Sequence, residues 1–134
     1  MIDTLRKPLG VLALLAGLAM LSAHYVAVAY SLPAALWHAV AILVIVPLTL
    51  AILVNVADSL RLRRDSSVHL RQLPRDAITV AAAFILIMFV HNYLLFTVPH
   101  AEDNPGLWTY LDPAAVVILA WEGIALLRSS SRPN

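Results

Sequence analysis

The sequence contains no cysteine, which excludes disulfide bonds, thiolate metal sites and thiol redox chemistry. Charge is also scarce: charged residues make up 13% of the 134 residues, against ~25% in a typical soluble domain. Apolar residues make up 61%, and the mean hydropathy is +0.84. A soluble core of this size cannot bury that apolar surplus, so the composition indicates a chain surrounded by lipid.

Catalytic and nucleic-acid-binding motifs are missing as well. The sequence has no Gly-x-Ser-x-Gly elbow, no His-Glu-x-x-His pair and no phosphate-binding glycine loop. Its arginines fall between apolar stretches, where membrane topology explains them better than a nucleic-acid partner. Asp112 and His100 resemble an acid–base pair, but Asp112 is interpreted first as a helix cap. These features favour a protein that is not an enzyme.

Four stretches are long and apolar enough to cross a bilayer, whose hydrocarbon core takes ~20 helical residues. They cover about residues 9–30, 34–57, 77–98 and 107–127. None shows the alternation of a membrane β-strand. We therefore predict an all-α integral membrane protein with a single domain of four transmembrane helices, a loop over about 59–75 and a shorter loop over about 99–106.

The ends of the inner helices carry the expected signals. Ser31 and Pro33 form a turn before the second helix, Asp76 caps the third helix, and Pro99 ends it.

The start of the fourth helix is open, because Asp112 and Pro113 together resemble an N-cap followed by proline. Either the helix begins earlier and bends at Pro113, or residues 107–111 lie in the membrane interface with Trp108 and Tyr110.

Basic residues fall on one side of this topology. They are Arg6, Lys7, Arg61, Arg63, Arg64, Arg71, Arg75, Arg128 and Arg132. The opposite loops contain Glu102 and Asp103 but no lysine or arginine. The positive-inside rule places the N-terminus, the C-terminus and the 59–75 loop in the cytoplasm, and we take the membrane to be a bacterial inner membrane.

The first span also has features of a cleavable signal peptide, with Arg6 and Lys7 before an apolar run and Ala27-Val28-Ala29 after it. Its apolar run is longer than the ~7–15 residues of a signal peptide. We therefore expect the first span to be retained.

Polar residues inside the spans are the candidates for function, because they are costly to place in hydrocarbon. They are His24, His38, His91, Asn55 and Glu122. His24 and His91 fall at similar depths on the outer side of the midplane. As neutral imidazoles they suit a transition metal or the two axial positions of a b-type haem, while the alternative is purely structural histidines and no cofactor.

Glu122 lies on the cytoplasmic side of the midplane, at the level of Thr49 and within reach of Asn55 and Thr79. A buried polar cluster is therefore expected, and the functional alternative is a carrier of protons or cations.

Ala13, Ala16 and Gly17 give the first span a face of small residues that suits close helix packing, either within the bundle or in a dimer.

Three functions remain from the sequence. The first is a non-catalytic accessory or assembly subunit whose partners are the lipid bilayer and other membrane subunits or copies of itself. The second is a small carrier that depends on Glu122, and the third is a cytochrome-like or metal-handling subunit that uses His24 and His91.

Overall fold

The computed structural model describes residues 2–30, 33–62, 69–97 and 105–130. This part of the chain is all-helical, with α1 over Ile2–Ala29, α2 over Ala34–Leu62, α3 over His69–Thr97 and α4 over Pro105–Ser130. Each helix contains a segment long and apolar enough to cross a bilayer: Thr4–Ala27, Ala34–Arg61, Leu73–Thr97 and Gly106–Ser130. The predicted helical class and its four apolar helices are thus confirmed.

The four helices pack as a ring in chain order. α1 packs on α2, α2 on α3, α3 on α4 and α4 on α1, whereas α1 and α3 lie diagonally and make no contact in the described residues. Because successive helices are antiparallel, α1 begins and α4 ends at the same end of the bundle. We call it the terminal end, marked by Arg6 and Ser129, and the opposite end, marked by His24 and Asp112, the far end.

The α1–α4 contact is the most extensive in the bundle, because small residues let the two backbones approach closely. A Cβ atom added to Gly10 would lie 2.9 Å from the carbonyl oxygen of Gly123, closer than Cβ atoms pack in proteins. Gly17 is less tightly enclosed, since its added Cβ would be 3.4 Å from the Leu119 Cβ. Ala13 and Ala16 are fully buried in the same core, so the small-residue face of α1 serves packing within the bundle.

The helix starts correct two predictions. Asp76 does not cap α3, because that helix begins seven residues earlier, at His69. Asp112 does not cap α4, which begins at Pro105 and continues through Pro113. The interpretation with an earlier start is therefore the right one for the fourth helix. Ser31, Pro99 and His100 lie outside the described residues.

Large apolar side chains cover the outside of the bundle. Large side chains that are each more than half exposed include Leu15 on α1, Leu53 on α2, Val80 on α3 and Val117 on α4.

The helices differ in how much of their surface the bundle covers. The buried share of the apolar segment is 39% for α1, α2 and α4, but only 17% for α3. Among the four helices, α3 is thus the one that the other described residues cover least.

Candidate functional site

A cluster of ionised side chains joins the helices at the terminal end. Asp58 of α2 is buried there and accepts two hydrogen bonds from Nη2 of Arg6, at 2.7 and 2.8 Å. Nη2 of Arg75, on α3, donates to the same carboxylate at 2.5 Å. One carboxylate therefore holds two guanidinium groups from different helices. Charge-assisted bonds of this kind are the stronger class of protein hydrogen bond.

Asn55, one turn before Asp58 on α2, extends this cluster to α4. Its Oδ1 accepts from Nη2 of Arg75 at 2.9 Å, and its Nδ2 lies 3.0 and 2.9 Å from the two carboxylate oxygens of Glu122. We call Arg6, Asn55, Asp58, Arg75 and Glu122 the ionic cluster. Its two guanidinium groups and two carboxylates balance in formal charge, so the cluster ties all four helices together without a net charge.

The contact expected between Glu122 and Asn55 is thus present, but the two threonines expected near it do not join. The hydroxyl of Thr49 donates to the carbonyl of Ile45, and that of Thr79 to the carbonyl of Arg75. Threonine in a helix commonly bonds the carbonyl of the preceding turn. These hydroxyls therefore bond the backbone of their own helices, and no bond to Glu122 is found among the described residues.

Two serine hydroxyls make further polar contacts at the terminal end. Nη1 of Arg6 lies 3.4 Å from the Ser129 hydroxyl, and the Ser59 hydroxyl donates to Asp76 at 2.6 Å. A cavity of about 390 Å³ opens beside the cluster and is bordered by Asn55, Arg75, Glu122, Trp121 and Arg128. The polar side chains of this cavity are largely occupied by bonds to one another.

The far end of the bundle is built differently. Nδ1 of His24, on α1, lies 3.0 Å from Oδ2 of Asp112, on α4, so the imidazole N–H donates to the carboxylate. The Asp112 side chain is only 2% exposed. Its second oxygen, Oδ1, is buried and has no hydrogen-bond partner in the part of the chain that the structure describes. Buried carboxylate oxygens without a donor are costly, so a donor that reaches this oxygen would stabilise the bundle.

Asp112 and His24 border a cavity of about 380 Å³ that is rich in aromatic rings. We call it the aromatic cavity; its rings come from Trp37, Phe89, Tyr93, Phe96 and Trp108. Phe89 and Trp108 meet edge to face, with centroids 5.3 Å apart and ring planes at 80°. All four helices contribute to this cavity, and its volume falls in the range of ligand sites, ~300–1,000 Å³.

His38 supports the aromatic cavity from outside. Its Nδ1 lies 3.0 Å from the Tyr93 hydroxyl, and its ring packs against Phe96 with centroids 5.6 Å apart. Asn92, next to Tyr93 in the sequence, is fully buried, and neither its amide nitrogen nor its oxygen has a hydrogen-bond partner among the described residues. The far end thus has several polar atoms that the bundle leaves unsatisfied.

The structure does not bring His24 and His91 together. His24 faces the aromatic cavity, whereas His91 is exposed on α3, which makes no contact with α1. Within the described ranges, no group of three His, Cys, Asp or Glu side chains is arranged to hold a metal ion. The two histidines that the sequence suggests as a pair of axial ligands therefore face different environments.

Sequence reasoning missed the most important partners at both ends. The sequence pattern indicates only a topology signal at Arg6 and Arg75 and a helix cap at Asp112, and it does not single out Asp58. The available signal was the position of Asp58, three residues after Asn55 on the same helix and at the level of basic residues on the neighbouring helices. Side chains three apart share a helix face.

The comparisons with known proteins give no further information on this site. No family model matches the chain, and no match was found among curated proteins or among solved structures.

Proposed function

We propose that this chain is a four-span membrane protein with both termini in the cytoplasm, acting as a non-catalytic accessory subunit that holds a partner membrane protein against α3. Two features support membrane embedding: the apolar exterior of the bundle and the length of its four apolar segments. The orientation is supported by the gathering of Arg6, Lys7, Arg61, Arg75 and Arg128 at the terminal end.

The observation that carries the accessory role is the position of His91. Its side chain is exposed on α3, the helix that the bundle covers least. On this exposed face its neighbours are apolar, for example Ile87 and Leu94, which are 66% and 54% exposed. Ionisable residues within membrane helices almost always face protein or water instead of lipid. A second protein against this face would give His91 a polar partner and cover the exposed apolar residues.

Photo-crosslinking in native membranes tests this surface. A photoreactive amino acid at Ile87 or Leu94 is expected to give one adduct of discrete mass, and mass spectrometry of the adduct identifies the partner. An adduct of twice the mass of the chain would identify a second copy as the partner. Val117 on α4 and Leu18 on α1 are matched controls, 65% and 60% exposed. Equal labelling from all three helices, or labelling of lipid alone, would contradict the proposal.

Reporter fusions test the orientation separately. Fusions after Arg64 and after Arg128 are expected to report the same, cytoplasmic compartment, because the positive-inside rule applies to both positions. Reporters in opposite compartments would exclude a four-span topology whatever the result of crosslinking.

The two alternatives from the sequence receive less support. A carrier needs a carboxylate that exchanges partners, and both oxygens of Glu122 accept from Asn55 within a charge-balanced cluster. An electron carrier with two histidine ligands needs imidazoles that face each other, and His24 and His91 do not. Neither arrangement favours these functions over an accessory role.

A further inference from the structure

The aromatic cavity contains a buried carboxylate that has no role in any of the three functions considered above. Its carboxylate, Asp112, is almost completely buried and keeps one oxygen without a donor, although the other oxygen is bonded to His24. A ligand that places a hydrogen-bond donor against Oδ1 removes the cost of that buried acceptor. A positively charged donor gives the larger gain, because a charged donor forms a stronger bond with a carboxylate.

The walls of the cavity favour the same kind of ligand. Five aromatic side chains border it, and the faces of such rings attract cations. The edge-to-face packing of Phe89 on Trp108 fixes two of these rings at nearly a right angle. A ligand with both an apolar body and a positive charge therefore meets complementary surfaces on every side.

Charge and ligand number distinguish an organic cation from a metal ion. Among the described residues that border the cavity, Asp112 is the only acidic one, so the site offers a single carboxylate to a cation. No third His, Cys, Asp or Glu in the described ranges completes a metal site with these two. Phe96 and Thr109 border the cavity and are exposed on the surface of the bundle, which gives a ligand a route of entry.

We propose that the aromatic cavity binds an organic ammonium ion, with the ammonium group against Oδ1 of Asp112 and the apolar body among the rings. This site lies away from the exposed face of α3. It therefore does not depend on the accessory role, and either proposal can fail without the other.

The test compares two ligands of nearly the same shape, 2-phenylethylammonium and 2-phenylethanol, with the purified full-length protein in detergent at neutral pH. Trp37 and Trp108 border the aromatic cavity, whereas Trp121, the third tryptophan, borders the cavity at the terminal end. Tryptophan fluorescence in a Trp121→Phe background therefore reports on this cavity. The ammonium ion is expected to bind about tenfold or more tightly than the alcohol, because only the cation pairs with the carboxylate.

Asp112→Asn keeps the size of the side chain and removes its charge. It is expected to weaken binding of the ammonium ion by about ten- to a hundredfold, the range of a charged hydrogen bond, and to change binding of the alcohol little. Each ligand is compared between parent and variant, so partition into detergent cancels. Glu122→Gln, which removes a buried carboxylate at the other end of the bundle, is the matched control and should leave ammonium binding unchanged.

Phe96→Leu keeps the proposal testable if Asp112→Asn does not fold. Phe96 is 38% exposed, so its replacement should disturb folding less, and loss of its ring should weaken binding of the cation several-fold more than that of the alcohol. Equal affinity of the parent for the two ligands, no binding of either, or unchanged ammonium affinity in a folded Asp112→Asn protein would each overturn the proposal.

Discussion

The two ends of the bundle both bury carboxylates, yet they satisfy them differently. At the terminal end, Asp58 is held by two arginines and Glu122 by the amide of Asn55. At the far end, within the described ranges, the Asp112 carboxylate has one hydrogen-bond partner for its two oxygens and the Asn92 amide has none. A satisfied cluster stabilises the bundle, whereas unsatisfied buried groups cost stability and persist where a ligand or a partner uses them. The comparison teaches that the far end, not the end with more charges, is the better candidate for binding.

Asp58→Ala should have the largest effect on stability, because it leaves Arg6 and Arg75 without their shared partner. Breaking a buried ion pair by removing one partner costs about 3–5 kcal/mol. Unfolding by SDS titration in mixed micelles measures this change. Arg61→Ala, an exposed basic residue in the last turn of the same helix, is the control and should leave the unfolding midpoint unchanged. Equal midpoints for both variants and the parent would show that the ionic cluster does not hold the bundle.

Glu122→Gln should have the next largest effect. The exchange removes one of the two negative charges of the ionic cluster and turns an amide donor toward the Asn55 amide. A loss of about 1.5–3 kcal/mol is expected, the value of hydrogen bonds to charged groups, measured by the same SDS titration. A fully stable Glu122→Gln protein that loses an ion or substrate transport activity would favour the carrier function instead.

The contact surface between α1 and α4 runs from one end of the bundle to the other. Substitutions at two of its glycines, Gly10 and Gly17, test how closely the two helices pack. Gly10→Ala forces a methyl group to within 2.9 Å of the Gly123 carbonyl oxygen, and overpacking of this kind costs about 1–3 kcal/mol. Gly17→Ala makes a looser contact with α4 and should change the unfolding midpoint much less. If the two variants are equally stable, the helices are not in the close contact described above.

Asn92→Leu should have the smallest effect, and in the opposite direction. The substitution replaces a fully buried amide that has no partner with an apolar side chain, so the protein should gain about 1 kcal/mol in unfolding free energy. The same exchange at Asn55 should destabilise the protein, because Glu122 and Arg75 lose their shared partner. Destabilisation by Asn92→Leu would show that the far end satisfies its polar groups after all and would remove the difference between the two ends.

The sequence predicted one contact of the ionic cluster and missed the others for a physical reason. Counting residues along each span places Glu122 and Asn55 at similar depths, which is sufficient for a contact when their helices are neighbours. Depth alone also placed Thr49 and Thr79 nearby, but a threonine hydroxyl can bond its own helix. Depth gives no rotation about the helix axis, so it does not tell that His91 faces outward while Asn92 faces the core.

The helix caps failed for a related reason. Asp76 and Asp112 have the sequence signature of an N-cap, but both helices begin seven residues earlier, at His69 and Pro105. In each case the carboxylate has a tertiary partner, the Ser59 hydroxyl or the His24 imidazole. In these two helices the aspartate has the sequence signature of an N-cap, but its carboxylate bonds a neighbouring helix and the helix begins earlier.

The sequence by itself determined the number of helices, their apolar character and the gathering of basic residues at one end, because these depend on runs of neighbouring residues and on their charge. Only the tertiary structure decided which polar groups meet. Arg6 and Asp58 are 52 positions apart, and His24 and Asp112 are 88 apart. Such residues meet only when each helix packs on particular neighbours with a particular rotation about its axis. For α1 and α4, the close packing of glycine and alanine residues is one contact that sets this arrangement.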